Sequence, residues 1–123
     1  MYQFERGPRK DIPGLNYYRV VDLDRGLRLE LKSRDHEYDL YRFRWKENYV
    51  ELVVQLLPPV PGSRDIVLDI MDGSLLEQSS RSPVQGAELE RLRLLIPEAV
   101  EAFWRLGGGP FRNLDKVVVK STF

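Results

Sequence analysis

The chain of 123 residues carries 19 basic side chains against 19 acidic ones, no Cys, and 42% hydrophobic with 31% charged content. That length predicts a single domain over residues 1–123 with one core, and the apolar share excludes a disordered chain. Without Cys, disulfides, thiolate catalysis and Cys-based zinc sites are excluded, and the neutral total argues against a polyanion such as nucleic acid as partner.

In chain order, Met1 to Arg6 shows no basic segment leading into an apolar one, so no signal peptide is expected. No apolar run approaches the ~20 residues of a membrane span, so no membrane partner is expected either. Together with the missing Cys, this predicts a cytoplasmic protein. Residues 1–16 hold Gly7-Pro8 and Pro13-Gly14 without periodicity. They read as an irregular N-terminal arm, strapped down through Tyr2, Phe4, Ile12 and Leu15.

Residues 17–78 read as β-hairpins and strands. A three-residue loop Asp24-Arg25-Gly26, with Gly26 at positive φ, sets Leu23 opposite Leu27 and Val21 opposite Leu29. On the other face Asp22 then meets Arg28 and Val20 meets Glu30. A second hairpin spans 38–57. Its two-residue loop Glu47-Asn48 sets Trp45 opposite Val50, Phe43 opposite Leu52, Tyr41 opposite Val54, and Arg44 opposite Glu51.

Pro58 to Ser63 ends that strand, because proline lacks the ladder donor. Ile66 to Met71 reads as a further strand, Asp72-Gly73 as a turn, Leu75-Leu76 as a short strand, and 79–85 as a polar loop. From Ala87 to Leu106 the period becomes helical, gathering Leu89, Leu92, Ile96, Ala99, Val100 and Phe103 within one arc. Glu98, Glu101, Arg91 and Arg105 lie opposite, with Glu101 and Arg105 at i,i+4 spacing. Pro97 predicts a kink or restart, and Gly107-Gly108-Gly109-Pro110 a stop. Residues 116–121 read as a terminal strand, interior because Val117-Val118-Val119 does not alternate. The predicted class is α+β: a mainly antiparallel sheet of five to six strands, one long Pro-kinked helix (86–106) on one face, and a last strand.

Few residues offer chemistry. The one histidine, His36, sits in the run Ser33-Arg34-Asp35-His36-Glu37, where sequence neighbours seldom meet the geometry of proton transfer. Asp65, Asp69 and Asp72 lack the alternating ligand spacing of a calcium loop. Gly107 to Gly109 follows a helix, at the negative end of its dipole, whereas phosphate loops precede one. Glu98 and Glu101 lie on a solvated helix face. No catalytic, cofactor-binding or metal-ligating residue is assigned, and no cofactor is expected.

The strand Tyr38 to Lys46 alternates aromatics with cations. Period two separates Tyr41, Phe43 and Trp45 from Arg42 and Arg44, so the rings are core and cannot share a base-stacking platform with the cations. The polar face, Arg42, Arg44, Tyr49 and Glu51, is then a candidate protein-binding surface. Leu94 on the polar side of the helix, with Trp104 flanking its apolar arc, is a second candidate. Fourteen arginines to five lysines suits an interface.

The favoured function is a noncatalytic protein-interaction module: an inhibitor, an immunity-type neutraliser or an adaptor. A homodimer through an unpaired strand edge or the loop Pro58 to Gly62 is an alternative association. The competing readings are a small-ligand domain, with Tyr17, Tyr18 and Tyr38 as polar handles, and a carboxylate-dependent enzyme. Both place a pocket between helix and sheet.

Overall fold

The computed structural model describes residues 1–46, 48–57, 61–71, 86–109 and 116–121. Among these, seven strands form one sheet whose spatial order is the chain order: β1 (Gln3–Pro8), β2 (Asn16–Asp22), β3 (Leu27–Arg34), β4 (Tyr38–Trp45), β5 (Asn48–Leu57), β6 (Asp65–Ile70) and β7 (Lys116–Ser121). β1 to β6 pair antiparallel, and β7 pairs parallel to β6. The helix α1 (Gly86–Phe103) lies between β6 and β7 in sequence, the crossover that a parallel neighbour requires. The class is α+β, with a sheet larger than the five to six strands expected.

The additional strand is β1, in the segment read as an irregular arm. Gln3 pairs with Val21 and Pro8 with Asn16, giving β2 its outer partner. Gly7 does not turn the chain: the ring of Tyr17, its cross-strand partner, lies over it, and a Cβ there would stand 2.8 Å from the tyrosine hydroxyl. Glycine in a strand thus marks a close approach.

Both hairpin registers differ from expectation. In the first, Asp22 pairs with Leu27 and Val20 with Leu29, a slip of one residue that exchanges the faces. Asp22 is buried at 1% exposure and Leu23 stands 77% exposed. Gly26 does take positive φ, at 66°. The physical reason lies at the turn, where Arg25 gives Asp22 both a backbone N–H (3.2 Å) and a guanidinium N–H (2.7 Å). A carboxylate so paired is tolerated on the core face.

The second hairpin slips by two residues, which preserves the faces. Trp45 pairs with Asn48, Phe43 with Val50, Arg42 with Glu51 and Tyr41 with Leu52, and Lys46 takes the left-handed φ of 55°. This register aligns β5 with its neighbours: Phe4, Val20, Leu29, Phe43 and Val50 form one apolar row across five strands. Most of that row is fully buried under α1.

α1 presents Leu92, Leu95, Ile96, Ala99, Val100 and Phe103 to the sheet; it corrects the long, Pro-kinked helix expected over 86–106, because it continues through Pro97 and ends at Phe103, where the turn becomes π-helical. Phe103 meets the rings of Tyr41 and Phe4 edge-on, with centroids 5.3 and 5.8 Å apart. A π-helical turn, Trp104–Gly108, follows, with Gly107 at φ 127°. A Cβ on Gly108 would collide with the Phe103 ring, and one on Gly109 with Trp104. The glycine run is therefore a packing requirement as well as a stop.

Among the described residues β7 is an edge strand, which corrects the interior placement. Val117 is buried, Val119 is half-buried, and Val118 faces away from α1 at 40% exposure. β5 ends at Leu57, ahead of an exposed turn at Pro61-Gly62. The predicted turn Asp72-Gly73, strand Leu75-Leu76 and loop 79–85 lie outside the described residues.

Candidate functional site

α1 covers one face of the sheet, and the opposite face is built from the alternate residues of each strand. Pairing brings five of them into line, one per strand: Glu5, Arg19, Glu30, Arg42 and Glu51 are successive cross-strand partners. The signs alternate along this row, and oppositely charged cross-strand neighbours stabilise a sheet. Arg19 Nε reaches Glu5 at 2.7 Å, and Arg42 lies 3.4 Å from Glu51.

Two tyrosines flank the row. The Arg19 guanidinium lies 4.4 Å from the Tyr17 ring centroid, and those of Arg42 and Arg44 lie 4.7 and 5.2 Å from that of Tyr49. Tyr49 donates its hydroxyl hydrogen to Glu51 at 2.6 Å. That bond, more than Arg42, holds the Glu51 carboxyl below the usual carboxylate range against its partial burial. Partial burial and the same bond push the Tyr49 hydroxyl up. Cation–π stacking and charged hydrogen bonds thus fix long side chains before any partner arrives.

The row runs into a groove of about 630 Å³ between the 8–15 segment and strands β2 and β3. Arg9, Leu15, Tyr17, Tyr18, Glu30 and Lys32 are among its walls. Arg9 is bridged to Asp11, its side-chain neighbour in the loop.

The predicted partner residues separate into three places. Arg42, Arg44, Tyr49 and Glu51 come together on the polar sheet face, although Glu51 bonds Arg42 rather than Arg44. Leu94 is 68% exposed on the far side of α1. Trp104 is a correction: at 3% exposure it is a core residue, its indole N–H donating to the Tyr41 hydroxyl at 2.9 Å. Sequence reasoning missed Glu5, Arg19 and Glu30. Their signal was the parity of Phe4, Val20 and Leu29, which only the true register of β2 makes consistent.

Two further polar clusters of the described residues are occupied with structural pairing. Arg34 grips the fully buried Asp39 with two guanidinium hydrogen bonds of 2.7 and 2.8 Å, and also donates to the Gly108 carbonyl at 2.8 Å. Tyr41 donates to the same carboxylate, and burial followed by the Asp39 charge raises its hydroxyl pKa far above normal. At the other end Arg25 links Asp22 to Glu98 of α1, at 2.6 Å from the latter. The Asp22 carboxyl is held below its usual range chiefly by the Arg25 side chain. The predicted pairs Asp22 with Arg28 and Arg44 with Glu51 are replaced by these partners, whereas Glu101 with Arg105 is present at 3.1 Å.

His36 is exposed in the β3–β4 turn, whose geometry comes from Asp35 accepting the N–H groups of Glu37 and Tyr38, both at 2.7 Å. Among the described residues no group of three His, Asp or Glu side chains is placed to hold a metal ion. Nor is any described helix long and apolar enough to cross a membrane. No family model matches the chain, and searches of curated proteins and of solved structures return no match.

Proposed function

We propose that this chain is a noncatalytic protein-interaction module, in the manner of an inhibitor, neutraliser or adaptor, that docks a partner on the polar face of its sheet. The observation that carries the reading is the ordered row Glu5–Arg19–Glu30–Arg42–Glu51, with Tyr17 and Tyr49 stacked against its arginines. Tyrosine and arginine are the residue types most often dominant in binding energy. Holding them in place beforehand lowers the ordering cost of about 0.5–1.5 kcal/mol per immobilised side chain. The alternation of sign also disfavours a polyanion, because a phosphate seated on either arginine of the row would be repelled by the carboxylates beside it.

The test is affinity capture from native lysate with three baits: the unaltered protein, Tyr49→Ala, and Leu94→Ser on the opposite side of the molecule. One stoichiometric protein should be recovered by the first and third baits, with at least tenfold less on Tyr49→Ala at unchanged melting temperature. Recovery of nothing, or equal recovery on all three, overturns the reading.

The groove beside Tyr17 supports a second reading, a small anionic ligand held by Arg9, Lys32 and the Tyr17 side chain. A melting-temperature rise with one compound of a metabolite library, abolished by Tyr17→Phe with Lys32→Ala, would favour it over protein docking.

A further inference from the structure

Beside the alternating row lies a second one that breaks its rule. Arg28 of β3 and Arg44 of β4 are direct cross-strand partners, flanked by Val21 on β2 and Tyr49 on β5. Like charges directly opposite one another destabilise a sheet, and no acidic side chain answers either guanidinium among the described residues. Among the described residues the contact of Arg44 is the Tyr49 ring, which is shared with Arg42. Every other arginine of the polar row has a carboxylate: Arg19 has Glu5 and Arg42 has Glu51.

We infer that Arg28, Arg44 and Tyr49 form the acid-recognition point of the docking face, taking a pair of carboxylates from an extended acidic segment of a protein partner. The inference rests on the docking reading of this face and supplies the partner's chemistry. Two adjacent guanidinium groups offer planar forks that match carboxylates bidentately, and such charge-assisted bonds are the stronger ones. The positive spot is narrow, because Glu30 and Glu51 of the neighbouring row bound it. A partner segment that sets two acids over Arg28 and Arg44 complements this spot, whereas a longer run of phosphates meets the carboxylates of Glu30 and Glu51 in the next row. The cost of holding two arginines face to face in the free protein is relieved when the acids arrive, as expected where function opposes stability.

Two measurements test this on the intact chain. In an NMR titration, a lysine-flanked peptide with two glutamates two residues apart should shift the amides around 28, 44 and 49. It should bind at least tenfold tighter than a peptide of the same composition in shuffled order and than a single-stranded oligonucleotide of equal length. The preference should disappear in Arg28→Gln and Arg44→Gln. Separately, Arg28→Glu should raise the melting temperature by about 1–3 °C by creating an opposite-charge pair with Arg44. Equal binding of the shuffled peptide, tighter binding of the oligonucleotide, or a lower melting temperature for Arg28→Glu would overturn the inference. Should Arg28→Gln and Arg44→Gln still capture the partner that Tyr49→Ala loses, acid recognition fails while docking on this face stands.

Discussion

Asp22 shows how much one side chain decides. The run Val20-Val21-Asp22-Leu23 is compatible with either face, since both parities contain apolar residues. Alternation alone favours burying Val21 and Leu23, yet Asp22 goes inward because Arg25 bonds it twice. Its depressed carboxyl carries a signed consequence. A group whose folded pKa lies below its unfolded value of about 3.9 stabilises the fold above that value, and the contribution is lost as pH falls through the folded pKa. Melting temperature should therefore decline below about pH 4, and Asp22→Asn should be less stable at pH 7 with a shallower acid limb. An acid limb as steep as that of the unaltered protein would show that Asp22 does not contribute. Asp39 is the simpler case: it shares parity with Tyr41 and Phe43, so its inward position was legible, while its partner Arg34 on β3 was not.

At the scale of elements, the helix and its glycine stop are set locally and finished by packing. The 3.6-residue period marks the face of α1 without reference to the sheet, and Leu92, Ile96, Ala99, Val100 and Phe103 are all buried. The turn that follows depends on what it touches, since Gly108 lies against the Phe103 ring and gives its carbonyl to Arg34. Gly108→Ala should cost about 1–3 kcal/mol through overpacking, read as a lower denaturant midpoint. A cost within about 0.5 kcal/mol, the usual range of a surface substitution, would mean that the ring moves aside freely. Trp104 shows the limit of helical periodicity: the π-helical turn widens the helix just where it stands and swings the indole onto Tyr41. An arc drawn at about 100° per residue cannot anticipate that change.

Over the whole molecule, central strands and edges differ in what holds them. β3, β4 and β5 contribute Leu29, Phe43, Val50, Tyr41 and Leu52 to the fully buried core, whereas β1 and β7 each have one neighbour among the described strands. Amide hydrogen exchange should be slowest in β4 and β5, opening only with global unfolding, and at least tenfold faster in β1 and β7. Uniform protection across all seven strands would contradict this gradient. Lys116 and Lys120 on the outer strand are the kind of charges that discourage edge-to-edge pairing, which weakens the case for dimerisation through β7.

By itself, the sequence determined the class, the helix, its buried face and the division of β4 and β5 into aromatic and charged sides. All of these follow from periods of 2 and 3.6 residues within a single segment. Tertiary structure decided the registers, the recruitment of β1, the outer place of β7 and the charge row itself. A slip of two residues leaves every face unchanged, so only contact with a third strand selects the row in which Phe43 meets Val50 and Arg42 meets Glu51. The polar face could thus be anticipated residue by residue on β4 and β5. Its extension through Glu30, Arg19 and Glu5 exists only because five consecutive strands align their pleats.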